Sequence, residues 1–239
     1  MKKTVLLLII IFFGLRLGAK EAVILLHGLT RSASSMEKMA NALRDAGYYV
    51  ENIDYPSRSA DIKTLSSNII GKALQDQNLE ECTKINFVTH SMGGILVRQY
   101  LKNHKIEKLG RVVMLAPPNQ GSEVVDNLRS WWLFKKINGP AGSELGTDSK
   151  SIPVLLGPVD FELGVIAGNW TINFINSFVM IPGSDDGKVS VDNTKVEGMK
   201  EFIIIDTSHP FIMKNDLVID NTINFLKTGT FIAPSIVVE

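Results

Sequence analysis

The stretch Thr89-His90-Ser91-Met92-Gly93-Gly94 decides the fold, because it joins an apolar run, Ile85 to Val88, to a segment with helical spacing. A serine on such a strand-to-helix turn takes a strained backbone conformation, which lifts its hydroxyl clear of the sheet. The turn leaves little room for side chains two positions before or after the serine. Gly93 meets this requirement, whereas Thr89 stands where glycine is usual. The pattern predicts Ser91 as a nucleophile.

The composition excludes several classes of protein. The 239 residues include 25 basic and 25 acidic side chains and no basic block, which argues against nucleic acid as a partner. The 45% of hydrophobic residues is ample for the core of a globular domain. The single cysteine, Cys82, excludes an intramolecular disulfide and a cysteine metal cluster. Since no H-E-x-x-H motif or glycine-rich phosphate loop is present, we expect neither a metal nor a cofactor.

The N-terminus predicts export. Lys2 and Lys3 precede the apolar stretch Val5 to Phe13, which is too short to span a bilayer, and Ala19 supplies a small residue before the mature sequence. Residues 1–19 are therefore a predicted signal peptide. Because Leu17 is a poor residue three positions before the cleavage point, an uncleaved membrane anchor is the alternative. The protein is then periplasmic or secreted, or attached to a membrane through its N-terminus.

Residues 20–239 alternate apolar strand-like runs with segments of helical spacing. Continuous apolar strands joined by helices predict a mostly parallel sheet covered by helices on both faces. The predicted strands are residues 22–26, 48–53, 85–88, 112–115, 164–167, 178–181 and 202–205. A capping-box pattern, Ser34 to Glu37, predicts the start of the first helix, and Gly47 its end. Pro210 predicts the start of the last helix, which runs to Lys227.

The rhythm of strands and helices breaks between residues 117 and 160, which predicts a small lid-like insertion over the sheet. This insertion contains Trp131, Trp132 and Phe134. These aromatic residues are candidates for binding an acyl chain or a lipid. The alternative is that they form the buried side of the insertion.

A nucleophilic serine needs a histidine base and a carboxylate that orients it. His209 follows a predicted strand and precedes the last helix, which favours it over His27, His90 and His104. Asp185 and Asp186 lie on a turn-rich loop before that strand. Since adjacent residues on an extended loop point in opposite directions, one of the two should face the histidine and the other should be a solvated turn residue. Asp160 is a weaker candidate because it precedes a strand.

The oxyanion that forms during acyl transfer needs backbone N–H donors. The amide of Met92, next to the nucleophile, is one candidate. The amide of Leu29, after the first strand, is the other.

Four segments together resemble the α/β-hydrolase superfamily, in particular its bacterial triacylglycerol-lipase-like and esterase branch. They are Leu25-Leu26-His27-Gly28-Leu29, His90-Ser91-Met92-Gly93-Gly94, Ser184-Asp185-Asp186-Gly187-Lys188-Val189 and Ser208-His209-Pro210-Phe211. The resemblance implies an α/β-hydrolase fold and selects Asp186, the aspartate directly before glycine, as the acid. It predicts an exported serine esterase or lipase acting on an ester or lipid-like small molecule. A thioesterase or acyltransferase with the same residues is one alternative, and a catalytically silent binding module is another.

Overall fold

The computed structural model describes residues 20–171, 181 and 183–232. Its described part contains a six-stranded sheet in the order β2-β1-β3-β4-β5-β6, and every neighbouring pair of strands is parallel. The strands are β1 Ala22–Leu26, β2 Tyr49–Ile53, β3 Ile85–His90, β4 Leu109–Leu115, β5 Leu163–Gly168 and β6 Glu201–Ile205.

Helices cover both faces of this sheet. They are α1 Glu37–Asp45, α2 Ile62–Ala73, α3 Gln77–Glu80, α4 Met92–Asn103, α5 Glu123–Leu128, α6 Trp132–Ser143, α7 Ile152–Leu155, α8 Val191–Thr194 and α9 Asp216–Thr228. Alternate residues of β1 belong to two separate apolar cores, because successive side chains of a strand point to opposite faces. Ile24 packs in the core that contains α2 and α4, and Val23 in the core that contains α1 and α9. The predicted parallel sheet with two covered faces is confirmed.

The carboxyl ends of the strands lie along one edge. Leu26 of β1 pairs with Thr89 of β3, and His90 pairs with Leu115 of β4. The loops that follow these strands therefore emerge side by side, which is where an open parallel sheet places its ligands.

Two predicted helix starts are wrong. The capping box does not form: Ala33–Met36 is a 3-10 turn, and the Ser34 hydroxyl is hydrogen bonded to Ser32. The last helix begins at Asp216 rather than Pro210, because the side chain of Asn215 accepts hydrogen bonds from the backbone N–H groups of Leu217 and Val218.

Helices α5, α6 and α7 fill the predicted insertion between β4 and β5. The predicted leader and, except for Ile181, the predicted strand at 178–181 lie outside the described residues. No helix in the described ranges is both long enough and apolar enough to cross a membrane.

Candidate active site

Ser91 occupies the sharp turn between β3 and α4. Its φ of 52° and ψ of −124° place its backbone in a region of dihedral angles that residues other than glycine rarely adopt. The surrounding backbone fixes this conformation, since Ser91 N–H donates to the Leu115 carbonyl at 2.8 Å and Gly94 N–H donates to the Ser91 carbonyl at 3.0 Å. These two hydrogen bonds hold the strained backbone of Ser91 at the carboxyl edge of the sheet.

The two glycines after Ser91 have different roles. A Cβ on Gly93 would lie 2.7 Å from the Leu26 carbonyl oxygen, so β1 passes too close for any other residue. A Cβ on Gly94 would lie 3.2 Å from Oγ1 of Thr89 and 3.0 Å from Sδ of Met114. Gly94 thus leaves the space that the Thr89 side chain needs, which explains how the turn accepts threonine where glycine is usual.

His209 lies between Ser91 and Asp186. Its Nε2 is 3.0 Å from Oγ of Ser91, and its Nδ1 is 2.7 Å from Oδ2 of Asp186. The side chains of His209 and Asp186 are 10% and 1% exposed, so this hydrogen bond is screened from water. With the proton on Nδ1 donated to the carboxylate, Nε2 is the acceptor that faces the serine hydroxyl.

The loop before β6 selects Asp186 over Asp185. Oδ1 of Asp186 accepts hydrogen bonds from the N–H groups of Lys188 and Val189, each at 3.0 Å, which leaves Oδ2 for the histidine. Asp185 accepts from Gly187 N–H at 2.6 Å. The prediction that the second aspartate is solvated is wrong, because Asp185 is buried. Asp160 is exposed and precedes β5.

His90 supports the His209 loop. The ring is buried and its Nε2 lies 3.0 Å from the backbone carbonyl of His209, to which it donates. The two rings are 4.8 Å apart. Burial holds the pKa of His90 well below its usual value, and the nearby His209 lowers it further, so the ring is neutral. A positioning role fits this geometry.

The loop after β1 carries the predicted oxyanion donor Leu29. His27 anchors this loop: its buried ring stacks on Tyr55 at 4.0 Å, its Nδ1 donates to the Gly28 carbonyl at 2.8 Å, and its Nε2 accepts from Tyr55 N–H. Burial lowers the pKa of His27, which keeps the ring neutral and able to accept.

The two predicted oxyanion donors lie on different elements, and among the described residues the backbone N–H of each is free to donate a hydrogen bond. Met92 is the first residue of α4, and the N–H groups of a first helical turn have no partner within the helix. Leu29 lines the cleft above Ser91. Within the described ranges, neither N–H donates to another residue.

A cleft of about 120 Å³ opens at Ser91 and His209. Apolar side chains of the insertion form much of its wall: Val124 and Val125 of α5, Phe134 of α6, and Leu145. No motif marks the two valines or Leu145, because ordinary apolar residues carry no signal that would separate cleft residues from core residues. Asn138, Arg31 and Lys188 also line this cleft and were likewise not predicted.

The three aromatic residues of the insertion separate in the structure. Phe134 lines the cleft, as predicted for an acyl-binding residue. Trp131 and Trp132 do not line it and are 53% and 66% exposed, so their role in binding a substrate stays a prediction. The separation follows from helical geometry: Trp131 only caps α6, and Phe134 lies about 200° around the helix from Trp132. Their exposure also excludes a buried role for the two tryptophans.

The described part of the chain contains no group of three or more His, Cys, Asp or Glu side chains placed to hold a metal ion. Ser91, His209 and Asp186 form a hydrogen-bonded chain beside the amides of Leu29 and Met92. Such an arrangement is suited to acyl transfer.

Comparisons with solved structures identify the fold. A mature lipase from Bacillus licheniformis is 23% identical with a TM-score of 0.69, and the match covers 89% of this chain and 93% of that one. An esterase from Pyrococcus furiosus is 20% identical with a TM-score of 0.59, covering 87% and 83%. A phospholipase from Legionella pneumophila is 18% identical with a TM-score of 0.60, covering 74% and 46%. The predicted α/β-hydrolase fold is confirmed.

The sequence itself matches a family model. Residues 22–151 match the model of the palmitoyl protein thioesterases, a range that includes Ser91, Leu29 and Met92 and ends before Asp186 and His209. Because the match spans more than half of the sequence, the chain belongs to the palmitoyl protein thioesterase family of the α/β-hydrolase superfamily.

Proposed function

We propose that this protein is a serine hydrolase that cleaves carboxylic esters through an acyl-enzyme on Ser91. One observation carries the proposal: His209 bridges the Ser91 hydroxyl at 3.0 Å and the buried Asp186 carboxylate at 2.7 Å. A serine hydroxyl is a weak nucleophile without such a base, and the base is held in the right tautomer by the carboxylate.

The reaction has two steps. Oγ of Ser91 attacks the acyl carbonyl carbon while Nε2 of His209 takes the hydroxyl proton, and the amides of Leu29 and Met92 bind the oxyanion. The bond to the leaving group then breaks, and His209 returns the proton to the leaving atom. Water, activated by the same histidine, attacks the acyl-enzyme and releases the carboxylic acid and Ser91. In each step Asp186 stabilises His209 while its imidazole carries the transferred proton and is cationic.

A thioesterase is the second candidate, and the family match favours it. The same residues serve both reactions, since only the leaving atom differs. A matched pair of substrates distinguishes the two activities: an oxygen ester and a thioester of butyrate whose leaving groups differ only in the oxygen or sulfur atom. A higher kcat/KM for the thioester assigns the thioesterase, and a higher value for the oxygen ester assigns the esterase.

Ser91→Ala tests the shared mechanism. The hydroxyl points into the cleft and its removal leaves no cavity in the core, so the variant should fold, while turnover of both substrates should fall by roughly a million-fold. A fluorophosphonate probe should label the wild-type protein and not the variant. Wild-type protein that neither turns over substrate nor takes up the probe would show a silent binding module.

We further propose that the protein is exported, on the strength of Lys2, Lys3 and the apolar stretch that follows them. Expression of the full chain in a bacterial host should place the esterase activity outside the cytoplasm. A chain that begins at Lys20 should retain its activity in the cytoplasm. Membrane-bound activity of the full chain would instead indicate an uncleaved anchor.

A further inference from the structure

A second cleft, here called the basic groove, lies beside the catalytic one. It has a volume of about 620 Å³ and lies between the loop after β1, the segment 55–59 and helix α6. Three cationic side chains line it: Arg31, Arg58 and Lys136. No aspartate or glutamate from the described ranges lines it.

These three cations are not neutralised by the protein. Some other cations of the described residues are paired, such as Arg44 with Glu37 at 2.9 Å and Arg129 with Asp148 at 2.6 Å. Arg31, Arg58 and Lys136 have no carboxylate within 4.0 Å in the part of the chain that the structure describes. The protein has zero net charge, so the groove is a local excess of positive charge rather than part of a basic surface.

The walls of the groove are tied together. Thr30 N–H donates to the hydroxyl of buried Ser57 at 3.1 Å, which joins the loop after β1 to the segment 55–59. Helix α6 is kinked at Gly139, whose φ of 67° brings it so close to Arg58 that a Cβ would lie 2.2 Å from the Arg58 carbonyl oxygen. Arg58 also donates to the Ile137 carbonyl at 3.2 Å. These contacts fix the backbone from which the three exposed cationic side chains extend.

The basic groove is continuous with the catalytic cleft. Thr30 and Arg31 line both of them. The apolar wall formed by Val125, Phe134 and Leu145 suits an acyl chain, which leaves the groove for the other half of a substrate. With its carbonyl carbon at Ser91 and its acyl chain on the apolar wall, a substrate would extend its leaving group past Arg31, which lines both clefts.

We propose that the basic groove binds a phosphoryl group on the leaving-group side of the substrate. Several uncompensated cations, two of them guanidinium groups that can donate paired hydrogen bonds, fit the charge and the acceptor oxygens of a phosphate. This inference rests on the proposed function and narrows its substrate class. A coenzyme A thioester and a phospholipid both offer this chemistry.

The test uses pairs of substrates that share an acyl chain, where one member has a leaving group that carries phosphate and the other has an uncharged leaving group. Butyryl-coenzyme A is compared with the uncharged S-butyryl-N-acetylcysteamine, and dihexanoyl-phosphatidylglycerol below its micelle concentration with dihexanoylglycerol. The readout is the ratio of kcat/KM values within each pair. In Arg58→Gln and in Lys136→Gln this ratio should fall about fivefold, and in the double variant about twentyfold. Lys135→Gln, an exposed neighbour that does not line the groove, is the matched control and should keep the wild-type ratio.

The two substrate pairs distinguish the source of the phosphate. A fall only in the first pair assigns a nucleotide thioester, and a fall only in the second assigns a phospholipid; both outcomes support the groove. Ratios that stay at the wild-type value in Arg58→Gln and Lys136→Gln overturn the proposal, as does an equal fall in Lys135→Gln.

A binding measurement separates this inference from the proposed function. Butyryl-coenzyme A and dihexanoyl-phosphatidylglycerol are titrated onto Ser91→Ala protein with and without the two groove substitutions. About twentyfold weaker binding of either probe supports the groove even if Ser91 proves dispensable for hydrolysis. Unchanged binding of both probes refutes the groove while leaving a Ser91-dependent hydrolase intact.

Discussion

Asp186→Asn is the sharpest test of how the candidate site works. In the wild-type protein Oδ2 of Asp186 accepts the proton of His209 Nδ1, and Oδ1 accepts from the N–H groups of Lys188 and Val189. An asparagine can keep the two backbone bonds through its carbonyl oxygen. Its NH₂ group then faces His209 Nδ1 as a donor. The imidazole must therefore carry its proton on Nε2, where it can no longer accept the Ser91 proton.

The expected loss follows from this exchange of tautomers. A triad whose aspartate becomes asparagine loses about four orders of magnitude in turnover, because the base is held in the wrong form. At about 1.4 kcal/mol per factor of ten, this corresponds to about 5.5 kcal/mol of transition-state stabilisation. Stability should change much less, since the asparagine retains both backbone hydrogen bonds and the site is the same size.

Asp185→Asn is the matched control. Asp185 is the adjacent aspartate, is also buried, and accepts from Gly187 N–H, a bond that the asparagine carbonyl can keep. Steady-state hydrolysis of p-nitrophenyl butyrate and thermal unfolding are measured for both variants. Asp185→Asn should stay near wild type in turnover. The reverse ranking of the two variants would refute the assignment, and equal losses with matching falls in melting temperature would mean that the loop fold rather than one carboxylate is responsible.

Three further predictions concern stability and specificity. Thr89→Val should raise the free energy of unfolding in urea by about 1 kcal/mol, because the Thr89 hydroxyl is buried with no partner among the described residues; a decrease would indicate a bound water. Phe134→Ala should leave more room in the cleft and so raise kcat/KM for longer acyl chains by about fourfold per added methylene, because each buried methylene contributes about 0.8 kcal/mol. Trp132→Ala should leave the dependence on chain length unchanged, since Trp132 does not line the cleft. Both variants are measured with a series of esters of increasing acyl chain length. Burial lowers the pKa of His90, so below about pH 6.5 the unfolded chain binds a proton that the folded chain does not, and stability falls by up to ~1.4 kcal/mol per pH unit as the pH decreases. Urea titrations should find this slope reduced in His90→Gln and kept in His104→Gln.

The sequence was informative wherever the chain itself is periodic or sterically restricted. The strand at 22–26 has the predicted bounds because every residue in it is apolar and buried. The positions of Ser91 and His209 could be predicted because both follow strands of a parallel sheet, whose carboxyl ends share one edge. Because adjacent side chains on a loop point in opposite directions, the sequence also predicted that only one of Asp185 and Asp186 faces the histidine. The burial of Asp185 could not be predicted in this way, because it depends on the surrounding loops.

Contacts between distant segments could not be predicted. The start of α9 depends on whether Pro210 or Asn215 supplies the first turn, and Pro210 lies in the short connection after His209. Trp132 and Phe134 are two positions apart in a segment without clear periodicity, so only the observed bounds of α6 show which of them faces the cleft. In both places one sequence pattern fits two local structures, and tertiary packing decides between them.

Chemistry and substrate choice come from different parts of this fold. The groups proposed to react lie on loops at the edge of the sheet, where strand register fixes them. The groups proposed to contact the rest of a substrate, such as Phe134 and Lys136, lie on a helix inserted after β4. An ester and a thioester need the same nucleophilic attack by Ser91 and the same proton transfers by His209, so these reacting groups do not determine which of the two is the substrate. On the proposal above, the side chains that line the apolar cleft and the basic groove can distinguish substrates, because the first set would contact the acyl chain and the second the leaving group. The substrate of this protein is therefore best sought by varying the leaving group while the acyl chain is held constant.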